Sequence, residues 1–411
     1  MHVVLPTVGS AGDVVPMVGI GAALLARGHR VTVLTNPYFR AMVEGAGLEL
    51  AAVGTAADFE RTTTNPDLWN PVRALGVVAR DGIAPAMRPT YEYLSALDPA
   101  ETVLAASGLA FGARLAQERL GFPLVTVDLQ PTLFLSAHDN ADMGTLTLPD
   151  RVPVGLRARW MGTVERHLVD PVVAPELNAF RDELGLPPVS RVFSRWIHSP
   201  RRVLGLFPRW YAPPQPDWPP QLVQTGFVSH QSDGAALPPD VEEFLAGGDA
   251  PVVVTLGSAM RHGDRLFAAA VDAGRALGRR TILLTRYRDQ LPPRLPAGVL
   301  HAGWVPLGLL LPRAAALLHH GGIGTAAQGL AAGIPQLVVP FAHDQPDNAD
   351  RLVALGVAAR LDPGRITAAR VAGALDRLLG DPVVRGRCVG YAVRVDFARA
   401  AAEACAVIEG I

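Results

Sequence analysis

His319-His320-Gly321-Gly322-Ile323-Gly324-Thr325 joins two imidazoles to a glycine-rich turn, and Asp344-Gln345 follow further along the chain. Residues 314–318 read as a short buried strand, and residues 326–332 as a helix closed by Gly333 and Pro335. A glycine-rich turn between strand and helix aims several backbone N–H groups and the positive end of the helix dipole at one point. Such a point attracts an anion, a phosphate above all. The glycines let the anion approach the backbone, and His320 and Thr325 can add side-chain donors. Paired histidines also suggest a metal, but neighbours at a strand end point to opposite faces. No Cys or acidic residue lies within a few positions to complete a ligand set. Taken alone, the turn could also be no more than a turn.

A second glycine-containing loop stands at the other end of the chain. Gly9-Ser10-Ala11-Gly12-Asp13-Val14-Val15-Pro16 follows an apolar strand at 3–7. Asp13 can take a proton from an attacking hydroxyl, provided the transfer is concerted with attack. It can equally cap a helix that begins near Pro16, because Asp is favoured at helix starts. A dinucleotide fold is the rival reading of this region. The stretch from Thr7 to Gly12 lacks the first Gly of Gly-x-Gly-x-x-Gly, and the second strand ends in Thr35-Asn36 where an acidic residue is needed. Both departures count against a nicotinamide enzyme.

These loops need a scaffold. At 411 residues the chain is too long for one ordinary core. With 49% hydrophobic and 18% charged residues it can bury two. Strands at 3–7, 31–35, 102–106 and 123–127 alternate with helices at 16–26, 37–45 and 109–119. The pattern restarts with strands at 252–256 and 281–285 around a helix at 265–277. Near-continuous apolar strands separated by helices imply a parallel sheet covered on both faces, an α/β fold. In such sheets ligands bind at the carboxyl ends of the strands, where both loops fall. Between the two patterns, 213–220 is proline-rich and reads as an extended linker. Residues 55–88 lack periodicity and read as loops and helices.

The formal net charge is −1, so nothing points to nucleic acid, and every Lys+Arg residue is Arg. Heavy use of Ala, Gly, Pro and Arg suggests a GC-rich bacterial genome. Cys388 and Cys405 are too few for a disulfide framework and read as free thiols. No apolar run approaches the roughly 20 residues that span a bilayer. The N-terminus enters a strand at once, without a charged leader, and the expectation is a cytoplasmic protein without stable membrane insertion.

Trp304-Val305-Pro306, the turn 319–325 and Pro340-Phe341-Ala342-His343-Asp344-Gln345-Pro346-Asp347-Asn348-Ala349 together resemble the donor-binding signature of family 1 nucleotide-sugar glycosyltransferases. The resemblance runs from Trp304 to about Leu361, and is to the bacterial natural-product branch that includes macrolide and glycopeptide enzymes. Residues 9–16 resemble that family's acceptor loop, and about 54–217 match only in outline. The resemblance implies the GT-B fold, two doubly wound Rossmann-like domains facing across a cleft. Residues 1–212 would bind acceptor, 213–220 link, 221–390 bind the nucleotide sugar, and a C-terminal helix within 391–411 cross back to the first domain. The implied reaction is inverting transfer of a sugar, deoxysugars included, from a UDP- or dTDP-sugar to a hydroxyl of an apolar small molecule. No metal and no resident cofactor are implied.

Residue by residue, the resemblance makes Asp13 the general base and Gly9, Ser10 and Gly12 its acceptor loop. Ser258, His320, Gly322, Gly324 and Thr325 would hold the diphosphate. Trp304 would stack on the base, and Val305 would offer its backbone to the base edge. Asp344 and Gln345 would read the sugar hydroxyls, and Asp128 is a possible second carboxylate. Two departures stand out. Ala11 occupies a position where many relatives carry Arg, and Gln328 one where some carry Glu for the ribose hydroxyls. A dTDP donor, lacking the 2′-hydroxyl, needs that contact less. Other readings are a lipid or sterol glucosyltransferase, a nucleotide-sugar epimerase of the same fold, and a non-catalytic auxiliary protein.

Overall fold

The computed structural model describes residues 1–139, 146–231 and 234–411. The chain forms two compact units, Met1–His230 with Phe397–Ile411, and Gln231–Asp396. Among the described residues no helix is long and apolar enough to cross a membrane.

The first unit is built on seven parallel strands: β1 His2–Pro6, β2 Arg30–Thr35, β3 Glu49–Ala52, β4 Thr102–Ser107, β5 Leu124–Asp128, β6 Arg202–Gly205 and β7 Leu222–Gln224. Their order is β3-β2-β1-β4-β5-β6-β7, so the winding reverses between β1 and β4. The second unit holds β8 Val252–Thr255, β9 Thr281–Leu284, β10 Val299–Ala302, β11 Ala316–His319, β12 Gln336–Val338 and β13 Ala358–Arg360. Its order is β10-β9-β8-β11-β12-β13, with the reversal between β8 and β11. The central strands β8, β9 and β11 are wholly buried, as near-continuous apolar runs require when helices cover both faces. Each reversal parts two neighbouring crossovers and leaves a crevice at the carboxyl edge of its sheet.

The proline-rich stretch 213–220 is not a passage between units. It lies inside the first unit between β6 and β7, and the chain leaves that unit only after His230. Trp218 is buried, with its ring centroid 5.3 Å from that of Phe134 and 6.0 Å from that of Phe207. The Asp217 carboxylate accepts the Ser136 hydroxyl and the Ala137 N–H, both at 2.7 Å. Prolines bar this stretch from the ladder, yet one buried Trp and one bonded carboxylate fasten it. The helix Phe397–Glu409 packs within the first unit against the helix Ala11–Ala26. Its Cys405 thiol meets the Ile20 carbonyl at 3.8 Å, and its Glu409 carboxylate meets Arg27 at 2.5 Å and His29 at 2.8 Å. Both cysteines are buried and free.

Candidate active site

In the second unit the loops after β8 and β11 leave the sheet side by side. The helix after β11 spans Ile323–Ala331, three residues earlier than its sequence suggests, with Gly322 at the N-cap and no side-chain cap. The first amide to bond backward is that of Ala326, to the Gly322 carbonyl at 3.0 Å. The amides of Ile323, Gly324 and Thr325 are therefore left for a ligand at the positive end of the helix. Gly321 has φ +99° and lies so near the next loop that a Cβ would sit 2.9 Å from the Gln345 carbonyl. Only glycine fits there.

His320 flanks this terminus. It is buried, and its Nδ1 has no hydrogen-bond partner among the described residues. Its ring is walled by two glycines: a Cβ on Gly257 would lie 2.9 Å from Cε1, and one on Gly322 would lie 2.5 Å from Nε2. Burial pushes its pKa down to about 4, helped by His343 and opposed by a bond to the Thr255 backbone. The imidazole is thus neutral at ordinary pH and presents one donor and one acceptor. His319 is wholly buried, and its Nδ1 accepts the Gly321 N–H at 3.2 Å, which shapes the turn from behind. Burial holds its pKa at about 3. The two rings are perpendicular, with centroids 6.3 Å apart.

The loop after β12 closes over the same turn. Asn348 donates to the Gly321 carbonyl at 2.9 Å and to the Asp344 carboxylate at 2.6 Å, tying Asp344 to the glycine turn. Asn348 lies within the stretch that resembles the donor signature, and its part in holding Asp344 shows only once Gly321, 27 residues earlier, stands beside it. Gln345 is buried, and its side-chain oxygen accepts the N–H groups of Phe341 (2.8 Å) and Ala342 (3.2 Å). Its oxygen therefore shapes the loop, and its NH2 group is the part left to meet a ligand. His343, between these loops, adopts φ +62°, uncommon for a residue with a Cβ.

Trp304 is 61% exposed, so it does not pack in the core as a Trp in a strand–loop setting usually does. Val305 beside it is buried in that core. Gln328 lies on the second turn of the helix Ile323–Ala331, close to Gly308, where a Cβ would sit 3.7 Å from its Oε1. Ser258 follows β8 half-buried, and its carbonyl accepts the Tyr287 hydroxyl at 3.4 Å.

In the first unit the loop after β1 is a capping box. The helix begins at Ala11, not near Pro16, because Ser10 caps it and Asp13 completes the box from the third helical position. The Ser10 N–H (2.7 Å) and hydroxyl (3.2 Å) both donate to Asp13 Oδ2. Gly12 donates its N–H to the Ser10 hydroxyl at 3.2 Å. Gly9 has φ +141°, and a Cβ there would fall 2.2 Å from Asp13 Oδ2. Burial raises the Asp13 pKa above the usual carboxylate value, while the Ser10 bonds hold it down. Gly9, Ser10, Gly12 and Asp13 thus form one cluster.

Asp128 stands outside that cluster. It ends β5 fully buried, with Oδ2 3.4 Å from His198 Nε2, and neither oxygen has a hydrogen-bond partner among the described residues. His198 stacks on Phe134, centroids 5.2 Å apart and rings 12° from parallel. Asp128 makes no bond to Asp13. A lone His between Ile197 and Ser199 carries no pattern by which the sequence could have revealed it. Among the described residues no group of three or more His, Cys, Asp or Glu side chains is placed to hold a metal ion.

Two doubly wound α/β units, each with a glycine loop at the carboxyl edge beside its reversal, define the class. The model of the "Glycosyltransferase family 28 N-terminal domain" matches residues 3–137, and that of the "Erythromycin biosynthesis protein CIII-like, C-terminal domain" matches residues 280–402. The O-mycaminosyltylonolide 6-deoxyallosyltransferase of Streptomyces fradiae is 32% identical, over 100% of this chain and 97% of that protein. The crystal structure of the glycotransferase of kitacinnamycin superposes with TM-score 0.75 at 26% identity, over 100% of this chain and 98% of that one. The spinosyn rhamnosyltransferase SpnG complexed with thymidine diphosphate superposes with TM-score 0.66 at 21% identity, over 99% and 100%. The chain belongs to the family of GT-B nucleotide-sugar glycosyltransferases that act in antibiotic and natural-product biosynthesis. It is a glycosyltransferase.

Proposed function

We propose that this enzyme transfers a sugar from a dTDP-sugar to a hydroxyl of an apolar natural product, inverting the anomeric centre, with Asp13 as general base. The observation that carries the reading is the uncapped helix terminus at Ile323–Thr325 beside the unpartnered Nδ1 of His320. In one displacement the acceptor oxygen bonds to the anomeric carbon from the face opposite the leaving group. The carbon–oxygen bond to the diphosphate breaks with its electron pair, and the acceptor proton passes to Asp13. Both Ser10 bonds fall on Oδ2, which leaves Oδ1 for that proton. Charge grows on the diphosphate as the bond breaks, so donors fixed at the helix terminus favour the transition state over the ground state. Asp344 and the Gln345 amide group read the sugar hydroxyls. Gln328 in the ribose position, and the thymidine diphosphate named with the spinosyn enzyme, support dTDP over UDP.

Thermal melts in EDTA with UDP, dTDP, GDP, ADP and NAD test this donor assignment. A ligand at 100 times its Kd stabilises by about 2.7 kcal/mol, and dTDP is expected to do so. A shift with UDP alone would replace the nucleotide, and a shift with NAD or with none would overturn the reading.

Trp304 gives a further expectation. Base–aromatic stacking is worth about 1–3 kcal/mol by alanine substitution, so Trp304→Ala should weaken nucleotide binding by that amount. With 61% of the residue exposed, the unliganded melting temperature should hardly move. Calorimetric titration that finds equal affinity would remove Trp304 from the base site.

A further inference from the structure

Among the described residues Arg261 has no counter-charge. Arg157 pairs with Asp150 at 2.8 Å, Arg351 with Asp347 at 2.7 Å, and Arg181 with Glu118, while Arg280, stacked on Phe244, donates to the Phe244 and Asp249 carbonyls. Arg261 is half-buried, and its Nε is fully shielded with no hydrogen-bond partner. Its guanidinium lies over the ring of Tyr287, whose centroid is 4.3 Å from Cζ. Among the described residues it makes no ion pair.

The cation is nevertheless held firmly. The Gln290 side chain, itself buried, donates to the Met260 carbonyl at 3.0 Å and accepts the Gly263 N–H at 2.7 Å, clamping the backbone on both sides of Arg261. A Cβ on Gly263 would lie 2.1 Å from Leu256 Cδ1, so the loop is also packed from below. Tyr287, the platform, is fixed through its hydroxyl on the Ser258 carbonyl at 3.4 Å and its N–H on Thr285 Oγ1 at 3.1 Å. The strand order β9-β8-β11 puts the loops of Tyr287, Arg261 and His320 next to one another at the carboxyl edge. One end of the Arg261 loop, Gly257, already abuts the His320 ring.

A guanidinium that is preorganised, stacked and partly desolvated without a carboxylate is one whose partner arrives with a ligand. We infer that Arg261 is a diphosphate-positioning residue, its planar fork binding phosphate oxygens of the nucleotide beside the helix terminus at Ile323. Phosphate is the anion whose geometry a guanidinium matches with paired hydrogen bonds. This inference rests on the nucleotide-sugar reading above and adds to it a charged residue that neither sequence pattern nor resemblance had singled out.

The test is titration of dTDP and of thymidine, which lacks phosphates, into the wild type and into R261A, R261K and H320A. R261A is expected to weaken dTDP about tenfold to a hundredfold, as loss of a charged hydrogen-bonding partner does, and to leave thymidine binding unchanged. R261K should restore only part of the loss, because an ammonium keeps the charge but not the fork or the stacking. If R261A fails to fold, R261Q, which keeps a planar head without charge, reads the same difference. Unchanged dTDP affinity in R261A would overturn the assignment, and so would a parallel fall for thymidine, which marks a loop support. A wild type that binds dTDP, with H320A weakened and R261A not, overturns Arg261 alone. A wild type that binds neither ligand removes the donor reading and this inference together.

Discussion

Asp13→Asn is expected to lower kcat by about a hundredfold to ten-thousandfold, the range that positioned proton transfer contributes, while dTDP binds as before. The substitution separates two roles the structure superimposes on one carboxylate. Asp13 is the third helical residue of a capping box, and its Oδ2 takes both Ser10 donors. The asparagine oxygen can accept the same Ser10 N–H, so the helix Ala11–Ala26 keeps its start and the melting temperature stays near that of the wild type. What asparagine cannot do is accept the acceptor proton. Asp13→Ala removes both roles, and loss of the Ser10 bond should cost about 1 kcal/mol of stability beside the same fall in rate. Nucleotide affinity is the internal control, because the proposed donor contacts come from the other unit. Near-normal turnover of Asp13→Asn would reduce Asp13 to a cap and leave the base unassigned.

The sequence made some of this architecture legible and concealed the rest for local reasons. The long apolar strands and the spacing from His319 to Thr325 were readable because their signal lies in consecutive residues. Helix starts were misplaced where rules competed. Pro16 mimics a first helical residue, yet Ser10 and Asp13 begin the helix earlier, with Asp where a capping box more often has Glu or Gln. At the other loop, Ile323-Gly324-Thr325 are poor helix formers, but Gly322 opens the helix before them because the turn fixes it. The strands β7, β12 and β13 are three residues each, too short for any periodicity. The proline-rich stretch misled because composition reports a missing donor but not a buried Trp218. His198 and Arg261 escaped because each acts through a partner distant in the chain, and Asn348 because its bond to the Gly321 carbonyl joins two loops. A single Asn, His or Arg carries no spacing of its own.

His320→Ala is the second large effect: a fall in kcat/KM of about a hundredfold to a thousandfold, as for loss of one fixed donor to developing charge, with weaker dTDP binding. The imidazole can supply such a donor only when correctly placed, and the structure fixes its position. Gly257 and Gly322 wall the ring, and burial keeps its pKa at about 4 against an ordinary 6.5. The same shift makes a separate reading possible. Between about pH 4 and 6.5 the unfolded chain protonates this histidine and the folded chain does not, so the unfolded state binds more protons and stability rises with pH there. The contribution is complete above 6.5 and is lost as pH falls toward 4. At about 1.36 kcal/mol per pKa unit, His320 accounts for about 3 kcal/mol of that loss. Denaturant titrations across this window should therefore give a shallower slope for His320→Gln, which retains His319 acting in the same direction, than for the wild type. Unchanged dTDP affinity in His320→Ala would take His320 out of the diphosphate site. An unchanged pH slope in His320→Gln would mean that the ring protonates freely in the fold.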